Sequence, residues 1–170
     1  MIIIEGPDNS GKSSLANTLS KHLGIIVHHS GGPPRTDTEI VERNEFTINT
    51  LQSKNRMVFD RVPCISDQVY GPLIRGYTVF SADHLVQLSQ ALDHPIIYCR
   101  APTRVLMEVE HGHVSHGHDT PEHLRGVMQN TKRIIENYDK LMAAIPHITY
   151  DYTSSGSLVT IEDLINMVRP

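Results

Sequence analysis

The chain has 170 residues, 39% of them hydrophobic, which suffices for one domain with a true core and is too short for two ordinary ones. A formal net charge of -4, without any run of Lys or Arg, argues against a protein that coats nucleic acid through its phosphates. No stretch reaches the roughly 20 apolar residues of a membrane span, and Met1 runs straight into Ile2, Ile3 and Ile4 without a charged leader, so a soluble, cytoplasmic protein is expected.

Taken in chain order, the local patterns alternate strand and helix, the sequence signature of a parallel sheet covered by helices. Met1 to Glu5 is an apolar run, followed by a Gly-rich turn and a helical pattern with Leu15, Leu19 and Leu23 on one face. Ile25 to His28 reads as a second strand, and Ser30 to Pro34 as a loop broken by Gly and Pro. Thr36 to Ser53 reads as a helix and Arg56 to Asp60 as a third strand, after which the chain around Tyr70 to Gly76 reads as loop. Ser81 to Leu92 is helical, Pro95 to Cys99 a fourth strand, and Pro121 to Ala144 the clearest helix, with Pro121 at a first helical position after Thr120. His147 to Tyr152 is a fifth strand, and Thr160 to Asp163 forms a capping box for a final helix. Cys64 and Cys99 show no metal or redox spacing, which fits reduced thiols. The whole is one domain, residues 1–170, with a polar, histidine-rich segment at about 110–120 read as a lid.

Gly6-Pro-Asp-Asn-Ser-Gly11-Lys12-Ser13 matches G-x-x-x-x-G-K-[ST] in full and lies between a predicted strand and a predicted helix. Glycines let the backbone curl so that the N–H groups of Asn9, Ser10, Gly11, Lys12, Ser13 and Ser14 point inward at a phosphate, and the helix start adds its positive end. Lys12 reaches the β- and γ-phosphate oxygens, and the Ser13 hydroxyl ligates the Mg2+ that screens them. A nucleoside triphosphate, ATP or GTP, is therefore the expected donor.

Asp60 and Arg61 end the third strand and so emerge at the carboxyl edge of the sheet, beside the phosphate loop. There Asp60 can hold Mg2+ or position the acceptor, and Arg61 can grip a phosphate through two parallel N–H bonds. The competing reading of Asp60 is a strand-terminal ion pair with a basic neighbour. Arg35 and Arg75 also fall in predicted loops, so that three loop arginines can converge on one anion. Tyr70, Phe46 and Tyr77 are the candidates to flank an acceptor base, with a core position as the alternative for each.

Glu5-Gly-Pro-Asp8-Asn-Ser-Gly-Lys12-Ser-Ser resembles the first motif of thymidylate kinases, and Asp60-Arg61 followed by Ser66 and Tyr70 resembles their second. Phage-type deoxynucleotide kinases of this group are the nearest resemblance. It implies a three-layer α/β P-loop NTPase fold, a five-stranded parallel sheet with helices on both faces, and transfer of the γ-phosphoryl group of ATP to a deoxynucleoside monophosphate. It also implies that Asp8 faces the acceptor sugar and that Arg61 holds the acceptor monophosphate. The partners are small nucleotides, and a homodimer is left open. A P-loop kinase acting on a nucleoside or on a modified base in DNA, and a non-enzymatic ATP-binding module, are the alternatives.

The lid departs from the resemblance. Thymidylate kinases bring arginines over the phosphates from the lid or the phosphate loop, and neither segment has one here. Arg104, one helical turn past Arg100, is the preferred replacement, with Arg125 second. His111, His113, His116 and His118 supply imidazoles instead, either as phosphate-binding polar groups or as zinc ligands. The turn from Tyr150 to Ser155 is the expected seat of the ATP base.

Overall fold

Three isoleucines and a glutamate make β1 (Ile2–Glu5), and all four are buried, which happens to a strand only when both faces of its sheet are covered. The computed structural model describes residues 1–53, 56–93, 95–108, 121–153 and 159–168, with the backbone alone for residues 108 and 121–124. The expected lid at 110–120, with its four histidines, lies outside the described residues.

Around β1 the strands β2 (Ile26–His29), β3 (Met57–Asp60), β4 (Ile96–Cys99) and β5 (His147–Tyr150) form one five-stranded sheet in the order β2-β3-β1-β4-β5. All pairings are parallel, with Ile4 opposite Asp60 and His29 also opposite Asp60. Successive side chains of a strand point to opposite faces. Ile3, Phe59, Ile96 and Tyr98 therefore enter one core, and Ile2, Ile4, Val58, Ile97 and Cys99 enter the other. The first core is closed by α2 (Asp37–Gln52), α3 (Pro63–Ile74), α4 (Ala82–Ala91) and α6 (Pro121–Met142); the second by α1 (Lys12–Leu23) and α7 (Ile161–Val168). A short α5 (Thr103–Glu108) follows β4. Cys64 and Cys99 are free and buried. No described helix is long and apolar enough to cross a membrane.

Helix ends follow the local chemistry. Thr36 caps α2 by accepting from the Glu39 amide, and Thr160 and Asp163 exchange bonds at the start of α7, as a capping box requires. The strand at 25–28 is shifted by one residue to Ile26–His29, and β5 ends at Tyr150, two residues earlier than expected.

The element that the local patterns concealed is α3. Gly71 and Pro72 are breaker signals, yet they sit inside the helix, which starts with Pro63 in its first turn. Burial of Cys64, Ile65, Val69 and Tyr70 overrides the breakers. Gly71 is required there for another reason: a Cβ on it would meet the Tyr77 carbonyl oxygen at 2.6 Å. The returning turn is held by Asp67, 3% exposed, which accepts the amides of Val79 (2.8 Å) and Phe80 (3.0 Å) and pairs with Arg75. Removing one partner of a buried ion pair leaves the other uncompensated. Asp67→Ala is accordingly expected to destabilise the protein by about 3–5 kcal/mol, measured by urea unfolding.

Candidate functional site

The phosphate loop bends where the sequence supplies glycine. Gly6 has φ +149°, and a Cβ there would stand 2.4 Å from the Cys99 carbonyl oxygen, so the loop can pass the end of β4 only without a side chain. Asn9 is also left-handed, at φ 63°, a conformation Asn tolerates. The loop leads into α1 at Lys12. The ammonium group of Lys12, 7% exposed, donates to the Pro7 carbonyl at 2.6 Å. Burial, and then the nearby Arg61 cation, pull its pKa down to about 8.

Arg61 occupies the other wall. Its backbone lies at φ +73°, which costs a non-glycine residue about 1–3 kcal/mol and marks a position held by its surroundings. The holding bonds are its amide to the Ile4 carbonyl at 3.0 Å, and its own carbonyl accepting from the Ser30 hydroxyl at 2.7 Å. Its side chain turns toward the phosphate loop, where Nη2 donates to Asp8 Oδ1 at 2.6 Å, to the Tyr70 hydroxyl at 3.0 Å and, at 3.5 Å, to the Gly6 carbonyl. Tyr70 in turn donates to Asp8 Oδ2 at 3.0 Å. Burial opposes ionisation of Asp8, but the Arg61 and Lys12 cations, with the bonds from Arg61 and Tyr70, outweigh it and hold the carboxyl well below the usual range. Arg61 Nε is buried and has no hydrogen-bond partner among the described residues.

Asp60, 8% exposed, sits between these walls. Its Oδ2 accepts from the Ser13 hydroxyl at 2.7 Å and lies 3.0 Å from His29 Nδ1. Both expected readings of Asp60 thus meet in one place: it is beside the Ser13 hydroxyl and it faces a basic neighbour. Ser13 and Asp60 are oxygen donors of the kind a hard divalent cation takes, and the pair fits Mg2+.

Asp8, Lys12, Ser13, Asp60, Arg61 and Tyr70 therefore converge at the carboxyl edge. Ser10 is fully buried, with its hydroxyl unpartnered among the described residues. Asn9, Gly11 and Ser14 line a cavity of about 380 Å³ with Thr18, Tyr150 and Tyr152. That cavity adjoins the turn expected to seat the ATP base, and the Tyr152 hydroxyl donates to the Asn9 carbonyl at 3.3 Å. Arg75 closes α3 and pairs with Asp67, while the Arg35 side chain is exposed just before α2. Arg104 and Arg125 are exposed on α5 and α6. Phe46, 47% exposed, packs on His28, and the exposed Tyr77 donates to Asp37.

Several site residues escaped the sequence reading. His29 and Ser30 join the site because β2 pairs with β3, and strand order is not written locally. Arg43 holds their loop by donating to the Ser30 and Gly32 carbonyls, each at 2.7 Å. Glu5, at 0% exposure, accepts the Val62 amide at 2.7 Å and the Tyr138 hydroxyl at 3.1 Å beneath Arg61. Glu5 opens the first motif of the resemblance, where it carried no assigned role, and its local signal was a carboxylate at the end of an otherwise apolar strand.

Solved structures match this chain over nearly its full length. The YorR protein of Bacillus subtilis, in complex with phosphorylated GDP, superposes with a TM-score of 0.66 at 20% identity, covering 97% of this chain and 91% of that one. The fold is that of P-loop kinases. Deoxyadenosine kinase from M. mycoides with bound dATP gives a TM-score of 0.59 at 16% identity, covering 97% of each chain. A gluconokinase from Sinorhizobium meliloti 1021 gives 0.57 at 15%, covering 98% of this chain and 87% of that one. No family model matches the chain, and no curated protein sequence matches it.

Proposed function

We propose that this protein is a phosphotransferase that moves the γ-phosphoryl group of ATP to a deoxynucleoside monophosphate, with a thymidylate-like acceptor as the first choice. The observation that carries the reading is the placement of Arg61. Its guanidinium is held at the mouth of the phosphate loop, beside Lys12, with one buried N–H unpartnered among the described residues. The side chain keeps 24% of its surface exposed, and a phosphate oxygen would bond the guanidinium from that side. In this reading the loop amides and Lys12 hold the donor phosphates, and Arg61 draws the acceptor phosphate into line. Asp8, kept ionised, accepts a hydroxyl of the acceptor sugar. Ser13 and Asp60 would hold Mg2+, which would supply charge neutralisation on the donor phosphates. The acceptor phosphate is already ionised at neutral pH, so the site needs no strong general base.

A second reading, a deoxynucleoside acceptor, is favoured by one feature: Asp8 already neutralises Arg61, and Asp67 neutralises Arg75, so the acceptor side carries little excess positive charge. The deoxyadenosine kinase with the same fold accords with it. One assay separates the two. With labelled ATP and Mg2+, each deoxynucleoside monophosphate and each deoxynucleoside is offered singly, and labelled products are resolved. Labelled diphosphates are expected. Labelled monophosphates made only from nucleosides would replace the first reading by the second, and no labelled product from any acceptor would remove both.

A further inference from the structure

Side chains from three elements meet at a single carboxylate oxygen. Ser13 Oγ, from the first turn of α1, lies 2.7 Å from Asp60 Oδ2, and His29 Nδ1, from the end of β2, lies 3.0 Å from the same atom. Pairing of β2 with β3 fixes this, because His29 is the register partner of Asp60. Ser30 stiffens the junction by bonding both the Asp60 and the Arg61 carbonyls, at 3.3 and 2.7 Å.

These separations have a meaning beyond hydrogen bonding. Adjacent ligands of an octahedral cation with bonds of about 2.1 Å stand about 3 Å apart. The 3.0 Å between His29 Nδ1 and Asp60 Oδ2 matches that spacing and the 2.7 Å between Ser13 Oγ and the same oxygen falls a little short of it, so each of the two donors can stand at a corner next to Asp60 after a small side-chain adjustment. The His29 side chain is 53% exposed, which leaves the remaining corners to phosphate oxygens and water.

We propose that His29 is a direct ligand of the divalent cation, so that the site is a mixed oxygen and nitrogen set that accepts Mn2+ or Co2+ in preference to Mg2+. The inference rests on the reading of the phosphate loop as a triphosphate site with Ser13 and Asp60 at its cation. An imidazole nitrogen contributes little to a hard ion such as Mg2+ and more to Mn2+ and Co2+, which lie further along the order of transition-metal affinities. A site built from serine and aspartate alone would show that bias less strongly.

The test uses the full chain with Mn2+ and inorganic tripolyphosphate, a ligand that contains no nitrogen. Electron spin-echo spectroscopy of the bound Mn2+ is expected to show coupling to an imidazole nitrogen. In His29→Ala that coupling is expected to vanish, and Mn2+ affinity to fall by at least about tenfold, while Mg2+ affinity falls less. His29→Gln, which can still bond Asp60, is expected to lose the coupling too. Mn2+ bound without imidazole coupling, or coupling that survives in His29→Ala, would overturn the proposal and leave the triphosphate site standing. Failure of the protein to retain Mn2+ and tripolyphosphate once the free complex is removed by gel filtration would overturn both. Thermal melting of each variant, expected near the native value for so exposed a side chain, separates loss of the ligand from loss of the fold.

Discussion

Replacing Lys12 by methionine is expected to lower phosphoryl transfer by about 10^2–10^3-fold while leaving the protein as stable as before or more so. The two halves of that expectation have one cause. Lys12 is buried next to Arg61, and burial and the like charge both disfavour its ammonium, pulling the pKa to about 8. Its bond to the Pro7 carbonyl and the attraction of Asp8 and Asp60 offset that cost only in part, so the charge is a net burden on the fold. Methionine keeps the length and apolar bulk of the stem and relieves the repulsion, so unfolding temperature should hold or rise. In the proposed reaction, however, the cation would meet the charge that builds on the migrating phosphoryl group. Turnover at saturating ATP and the midpoint of thermal unfolding are measured on the same preparation. Native turnover in the variant would remove Lys12 from the reaction, and a joint collapse of turnover and stability would make it a structural residue.

What could be read from the chain, and what could not, divides by the range of the interaction involved. The phosphate loop was legible because its backbone demands glycine at Gly6 and Gly11 within one short segment. The inner strands β1, β3 and β4 were legible because burial on both faces writes apolar runs such as Ile2 to Ile4. Asp60 and Arg61 were legible as a pair because a strand end delivers them to one edge. The rest depends on contacts between distant segments. His29 meets Asp60 only once β2 is placed beside β3, and Tyr138 reaches Glu5 across 133 residues of chain. Helix α3 was hidden because the glycine that a close turn needs at position 71 also looks like a helix breaker. The three loop arginines illustrate the limit: local pattern placed them all outside surface helices, but the fold turns Arg61 toward the phosphate loop, ties Arg75 to Asp67 and leaves Arg35 in solvent.

Glu5→Gln is expected to flatten the dependence of stability on pH between about 4.5 and 7 and to make the protein more stable than the native chain at pH 8. Glu5 is wholly buried, and burial pushes its pKa up to about 7 against the bonds from Val62 and Tyr138 and the pull of Arg61 and Lys12. The sign follows from which state holds the proton. The unfolded carboxyl gives it up near 4.5 and the folded one near 7, so within that window the folded state binds more protons. Stability is therefore highest below the lower value, declines as pH rises through the window, and levels off above the upper one. The span is on the order of 3 kcal/mol. Glutamine is neutral throughout, its carbonyl can still accept the Val62 amide, and its amide can donate to the Tyr138 hydroxyl, so the left-handed turn at Arg61 keeps its support. Urea unfolding of both proteins from pH 4.5 to 8 supplies the comparison, since other titrating groups contribute equally to each. Parallel curves would show that Glu5 does not titrate in this window, and a variant weaker at every pH would show that the carboxylate charge beneath Arg61 outweighs the cost of burying it.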